Sequence, residues 1–243
     1  MEVELISKKE DMNDQNIDKN KVVVVLDILL ATSTIVTCSA AHAKAIYPVV
    51  SKQEAMAMAN KLKNDGIKAK DIYVAGEENA KQIDGYVNPL PLQLQNMIDH
   101  KQLILLTTNG TLAIRRAEKA QAILISSLLN TKAVARKIIN EYVNANITVV
   151  CSGSNGNFCM EDFYGAGYLI DQMTTLNDQT ILSDGALTAK YFYQGFQHQT
   201  EEILSQSAVG RFMQKMNYHA DLEFVSKKDL YDVVPVLLKD KIL

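Results

Sequence analysis

Residues 22–37 read VVVVLDILLATSTIVT. The first five are apolar and four of those are valine, a run of strand length with no polar face. Such a run suits a strand covered on both sides, as in a parallel sheet. It stops at Asp27, and the small polar residues Thr32, Ser33 and Thr34 then open a segment that reads as a helix over 32–45. Strand, acid and helix in this order are the first half of an α/β unit.

The alternation continues outward. Short β-branched or aliphatic runs predict strands at 45–50, 71–75, 103–106, 122–125 and 147–151. Between them, helical spacing appears at 53–64, where Ala55, Met56, Ala59 and Leu62 share a face. It recurs at 111–119 and at 131–144, with Val134, Ala135, Ile138, Ile139 and Tyr142 on one side. Further helices are expected at 161–173, 186–196 and 203–216, with a strand at 222–225 and a tail through 233–238. The polar residues 11–21 read as a loop. No Pro/Gly/Ser-rich linker interrupts the pattern, so a single domain over 1–243 is expected, built as a three-layer α/β/α with a largely parallel mixed sheet.

Composition narrows the function classes. The 243 residues carry a net charge of −3, which excludes a general nucleic-acid binder with its basic face. No stretch approaches the roughly 20 apolar residues of a membrane span. The opening MEVELISKKEDMNDQ, with acids at Glu2 and Glu4, does not read as a signal peptide. Cys38, Cys151 and Cys159 are spread out with no C-x-x-C pair, which reads as reduced and cytoplasmic. A homodimer is only the commonest expectation for a soluble oligomer.

Four predicted strands end in small polar residues: Asp27 with Ala31–Thr34, Thr107–Thr111, Ser126–Ser127, and Ser152–Gly156. Ligands in open α/β sheets bind beyond the carboxyl ends of the strands. Ser, Thr and Asn are also favoured helix caps, so any one cluster taken alone reads first as capping. Four on one predicted edge point to a polar cleft. Asp27 is placed to hold a divalent cation or to cap the next helix. Glu77 and Glu78, with Asn79, follow the 71–75 strand; Glu161 and Asp162 open a helix, where acids also complement the helix dipole. Oxygen ligands without a His/Cys pattern favour Mg²⁺ over zinc, with Asp27, Glu77, Glu161 and Asp162 as candidate ligands. There is no G-x-S-x-G elbow, P-loop or H-E-x-x-H. Leu29, two residues after Asp27, excludes the paired acids of an aspartyl-nucleophile phosphatase of the haloacid dehalogenase type. Cys38 and Cys151 read as buried thiols.

The runs VVVVLDILLATSTIVT at 22–37, AGEENAKQIDGY at 75–86, LTTNGTLAI at 106–114 and LLNTKAVA at 128–135 occur in one chain with VVCSGSNGNFCMEDFYGAGYLI at 149–170, SQSAVGRFM at 205–213 and DVVPVL at 232–237. Together they resemble the 2-phosphosulfolactate phosphatase family over nearly the whole chain. The resemblance implies Mg²⁺-dependent hydrolysis of a small anionic phosphate ester, (2R)-2-phospho-3-sulfolactate, to sulfolactate and phosphate, a step that in the family serves coenzyme M biosynthesis. Asp27, Thr32, Ser33, Asn109, Gly110, Thr111, Glu161 and Asp162 match motif residues of the family; Ser207, Gly210 and Arg211 match its C-terminal motif. On that basis Asp27, Glu161 and Asp162 are catalytic candidates. Thr32, Ser33, Asn109, Gly110, Thr111, Ser207 and Arg211 are candidate phosphate or substrate ligands.

Three motif arginines are replaced, by Leu30, Glu78 and Leu112, and the family's N-S-P motif reads Asn88-Pro89-Leu90-Pro91. Arg holds anions with paired, charge-assisted hydrogen bonds and Leu with none. Each such bond is worth about 1.5–3 kcal/mol. Arg115 and Arg211 are the candidates to compensate. Two alternatives follow: the same chemistry on a less charged phosphate ester, or a non-catalytic binding protein that retains the motifs for its fold.

Overall fold

The computed structural model describes residues 1–13, 16–78, 81–142 and 144–243. Asn79, and Val143 within the helix expected at 131–144, lie outside the described residues, as does part of the 11–21 loop. Five strands, β1 (Glu2–Ile6), β2 (Lys21–Leu26), β7 (Ala122–Ser126), β8 (Asn146–Cys151) and β9 (Ile181–Leu182), form one sheet in the order β7-β2-β8-β1-β9. Every neighbouring pair in it is parallel. A second sheet has the order β10-β11-β3-β6-β4-β5. Its centre, β3 (Ala45–Val49), β6 (Gln102–Leu106) and β4 (Ile72–Glu78), is parallel; β5 (Lys81–Gln82), β10 (Leu237–Leu238) and β11 (Lys241–Ile242) add antiparallel edges.

The α/β class with parallel-rich mixed sheets is as the sequence predicts, but the strands divide between two sheets. Alternation of side chains decides where each packs. In β2, Val22, Val24 and Leu26 face helices α5 (Thr131–Glu141), α6 (Met160–Leu176) and α7 (Asp184–Gly195). Val23 and Val25 face the opposite way, towards α1 (Ala31–Ala40) and α4 (Gly110–Arg116). Ile46, Leu103 and Leu105 of the second sheet reach that same central layer. Tyr47, Val49, Ile104 and Leu106 point outward, to α2 (Lys52–Asn64). Each sheet thus has helices on both faces, and α1 and α4 are shared between them.

Three elements differ from the sequence reading. β1 lies between β8 and β9, although its Glu-Val-Glu-Leu-Ile run does not look like a buried strand. Glu4 is accommodated by Lys21 and by the Thr148 hydroxyl at 2.7 Å. The helix expected over 203–216 is two helices, α8 (Thr200–Gln206) and α9 (Ala208–Lys215), broken at Ser207. Ser207 is extended, with ψ 163°, and its hydroxyl caps α9 by accepting the Gly210 N–H at 2.9 Å. The strand expected at 222–225 is the end of α10 (His219–Val225). Leu222 and Val225 are buried one helical turn apart, and a short apolar run is compatible with either period. A short helix, α3 (Pro91–Gln95), completes the set.

Candidate active site

The carboxyl ends of β2 and β8 from one sheet meet those of β4 and β6 from the other. Between them lies a cavity of about 270 Å³. Asp27, Glu77, Thr108, Asn109, Ser154 and Asn155 form its polar side. Leu30, Pro89, Leu90, Val209 and Phe212 contribute an apolar wall. Among the described residues, Asp27 and Glu77 carry the charges on the lining, and no Lys, Arg or His faces the cavity.

Asp27 ends β2 and is 7% exposed. Its backbone is clamped by Thr32: the Thr32 N–H and hydroxyl donate to the Asp27 carbonyl at 3.0 and 2.9 Å, and the Thr32 hydroxyl accepts the Asp27 N–H at 3.0 Å. Its Oδ1 accepts the Ala31 N–H at 3.4 Å. Gly110 packs against it so closely that a Cβ there would sit 2.7 Å from Asp27 Oδ2. Burial pushes the Asp27 carboxyl up to about 7, and the negative charges of Glu77 and Glu161 add to the effect.

Glu161 and Asp162, in the first turn of α6, are each 2% exposed. Asp162 ties two loops together: Oδ1 accepts the Ile28 N–H at 2.8 Å and Oδ2 accepts the Gly153 N–H at 3.0 Å. Gly153 has φ +65°, a conformation that favours glycine and lets its N–H turn inward. Burial, then the charges of Asp27 and Glu161, hold Asp162 well above the usual carboxylate range. Burial also raises Glu161, against its own backbone N–H, Ser207 and Cys159, all within hydrogen-bonding reach.

Glu77 arrives from β4 in the second sheet. Its two oxygens accept from the Thr108 N–H at 2.6 Å and the Thr108 hydroxyl at 3.1 Å. The next residue, Asn109, receives Lys9, whose Nζ donates to Asn109 Oδ1 at 2.8 Å and to the Ser152 carbonyl at 3.2 Å. Lys9 is 2% exposed, pairs with Glu10 at 3.0 Å, and exerts a lowering influence on Asp27. Sequence reasoning missed it because it follows β1, the strand whose alternating Glu-Val-Glu-Leu was the available signal.

The other sequence candidates occupy different positions. Asn109 lines the cavity and Gly110 backs Asp27. The hydroxyls of Thr32, Ser33 and Thr111 are fully buried and donate to backbone carbonyls of their own turns, Asp27, Ile28 and Thr107. They brace the strand-to-helix turns and do not face the cavity. Ser207 donates to the Leu204 carbonyl at 2.8 Å and lies beside Glu161. Arg211 is exposed and donates to the Gln206 carbonyl; Arg115 pairs with Glu118 at 3.0 Å. Neither lines the cavity. Of the three replaced arginine positions, Leu30 does line it. Glu78 is exposed and paired with Lys52 at 3.0 Å, and half-buried Leu112 is elsewhere. Ser126 and Ser127 also leave the cleft: Ser127 caps the turn before α5.

Among the described residues, no three His, Cys, Asp or Glu side chains converge as a metal cage. Asp162, held by two backbone N–H groups, and Glu161 do not line the cavity. Asp27 and Glu77 remain as carboxylates that open to the cavity. Two carboxylates on one cavity wall suit a hydrated divalent ion such as Mg²⁺, which keeps several waters and takes one or two protein carboxylates.

The chain is similar to known proteins over nearly its whole length. A protein-family model described as 2-phosphosulpholactate phosphatase matches residues 6–240. A protein of Clostridium perfringens named as a probable 2-phosphosulfolactate phosphatase is 36% identical over 226 residues, covering 92% of this chain and 89% of the relative. One from Clostridium acetobutylicum with the same name is 34% identical and covers 100% of both chains. One from Clostridium beijerinckii is 30% identical over 100% of this chain and 99% of its own length. The family match over residues 6–240 spans the cavity described above, and the chain belongs to the 2-phosphosulpholactate phosphatase family.

Proposed function

We propose that this chain is a Mg²⁺-dependent phosphate-monoester hydrolase whose substrate is 2-phosphosulfolactate. The observation that carries the reading is the cavity itself: two carboxylates, Asp27 and Glu77, from the strand ends of two different sheets, line one cavity. That arrangement repels a phosphate ester unless a divalent cation stands between them. Asp27 and Glu77 would hold Mg²⁺, which when bound supplies positive charge for the phosphate oxygens. Thr108 orients Glu77 through both of its oxygens, and Thr32 and Asp162 fix the ends of the Asp27 loop. Asn109 presents its amide to the phosphate. Three buried free thiols fit a cytoplasmic setting.

The test is phosphate release from synthetic phosphosulfolactate, with Mg²⁺ and with EDTA. Release is expected with Mg²⁺ and not with EDTA. Asp27→Asn should lower kcat/KM by about 100-fold or more while the protein remains folded. Release that survives EDTA, or no release from folded protein, would remove this reading. A second reading rests on Leu30, which replaces a family arginine on the cavity wall: the same site acts on a less charged ester. Turnover of 4-nitrophenyl phosphate above that of phosphosulfolactate would select it.

A further inference from the structure

We infer that Lys9 is a positioning residue for the anion site, holding the Asn109 amide so that its NH₂ group is directed to a phosphate oxygen in the cavity. The inference rests on the phosphatase reading above for the identity of the anion.

Geometry fixes the amide. Lys9 Nζ is donor-only, and so is the Asn155 N–H; both address Asn109 Oδ1, at 2.8 and 3.3 Å. Two donors on one side of an amide require its oxygen there, which places Nδ2 on the other side. Asn109 lines the cavity, and its Nδ2 makes no hydrogen bond within the described residues. The Lys9 amine is itself held. Its second acceptor is the Ser152 carbonyl at 3.2 Å, at the end of β8. Its backbone N–H donates to the same carbonyl at 3.4 Å, and the Arg116 guanidinium donates to the Lys9 carbonyl at 2.8 Å. A buried lysine with this many fixed contacts is a costly feature unless each contact is used. Lys9 joins the loop after β1, the loop after β8 and the start of α4. It also brings a positive charge behind a cavity whose lining carries only negative ones. An anion therefore meets a neutral donor whose orientation is set by a cation one residue deeper.

The experiment is calorimetric binding of inorganic phosphate, in the presence of Mg²⁺, to the full chain and to Lys9→Met, Asn109→Ala, Asn109→Asp and Lys9→Met/Asn109→Ala. Wild type is expected to bind. Asn109→Ala and Lys9→Met should each weaken binding about tenfold or more. The double variant should be no weaker than Asn109→Ala, because Lys9 acts through Asn109. Asn109→Asp keeps an acceptor for Lys9 but offers no donor to phosphate, so it should retain the thermal midpoint and lose affinity. If Lys9→Met does not fold, Asn109→Asp alone decides: wild-type affinity in it overturns the inference. So do wild-type affinity in folded Lys9→Met, losses that multiply in the double variant, and absence of phosphate binding by wild type. Phosphate release from phosphosulfolactate is measured on the same wild-type sample. Release with unaffected variants removes only the role of Lys9; binding without release removes the phosphatase reading and leaves the anion site.

Discussion

Gly110 has space for a hydrogen and little else: a Cβ would lie 2.4 Å from that of Ala31 and 2.7 Å from Asp27 Oδ2. Gly110→Ala must therefore push α1 or the Asp27 carboxylate aside. Overpacking of this kind costs about 1–3 kcal/mol. The expected outcome is a lower thermal midpoint with a larger proportional loss of activity; a variant with wild-type kcat/KM would show that Asp27 needs no such placement. Asp27 also sets a pH dependence. Its folded-state value, about 7, lies above its ordinary 3.8, so the folded chain binds that proton more tightly than the unfolded one. The associated stability is fully present below about pH 4 and is lost as pH rises through about 7. Glu161 and Asp162 shift in the same direction. In EDTA, Asp27→Asn should therefore melt above wild type, by a margin that grows from about pH 5 to about pH 8. A margin independent of pH would contradict the burial argument.

At the scale of elements, the α8–α9 break shows how one serine and one glycine turn a continuous helical pattern into two helices. Ser207 accepts the Gly210 N–H, and a Cβ on Gly210 would lie 1.8 Å from the Leu204 carbonyl. Gly210→Ala should unseat α9, whose Val209, Phe212 and Met213 wall the cavity, and cost about 1–3 kcal/mol. Ser207→Ala should cost about 1 kcal/mol as a lost cap. Urea unfolding of both variants checks the order; a harmless Gly210→Ala would mean that the α8–α9 contact is not tight in solution. The break was not legible beforehand because the apolar spacing of 203–216 continues across it; only the packing of α9 back onto α8 shows the need for a corner.

Across the whole molecule, the C-terminal segment joins the two sheets. The Pro235 carbonyl accepts the Ile125 N–H at 2.9 Å, Val236 bridges to Leu124, and Ile242 pairs with Ile46 of the other sheet. Ile242 is 1% exposed and lies in the central layer that both sheets share. Ile242→Ala should cost about 2–5 kcal/mol. Unfolding should remain a single transition, because neither sheet has a separate inner face; two transitions in urea would show that the sheets are independent. No described helix is long and apolar enough to cross a membrane.

Local chemistry in the sequence was enough to locate Asp27 at a strand end, Asn109 at a strand-to-helix turn and the α/β class, because strand and helix periods and the residues that punctuate them are short-range properties. Two parts of the answer required the tertiary structure. Of the four carboxylates grouped from sequence, only Glu77 and Asp27 line the cavity; they come from different sheets, and their meeting depends on β4 and β2 ending at one place, a relation that no local pattern encodes. Lys9 is in sequence one of two adjacent lysines with no motif around them. It becomes a buried partner of Asn109 only because β1 inserts between β8 and β9 and carries it beside a residue 100 positions away. A hydroxyl such as Thr32 or Thr111 is likewise ambiguous in one dimension, equally suited to bind a ligand or to brace its own turn. Burial decides between those uses, and burial is set by the packing of α1 and α4 between the two sheets.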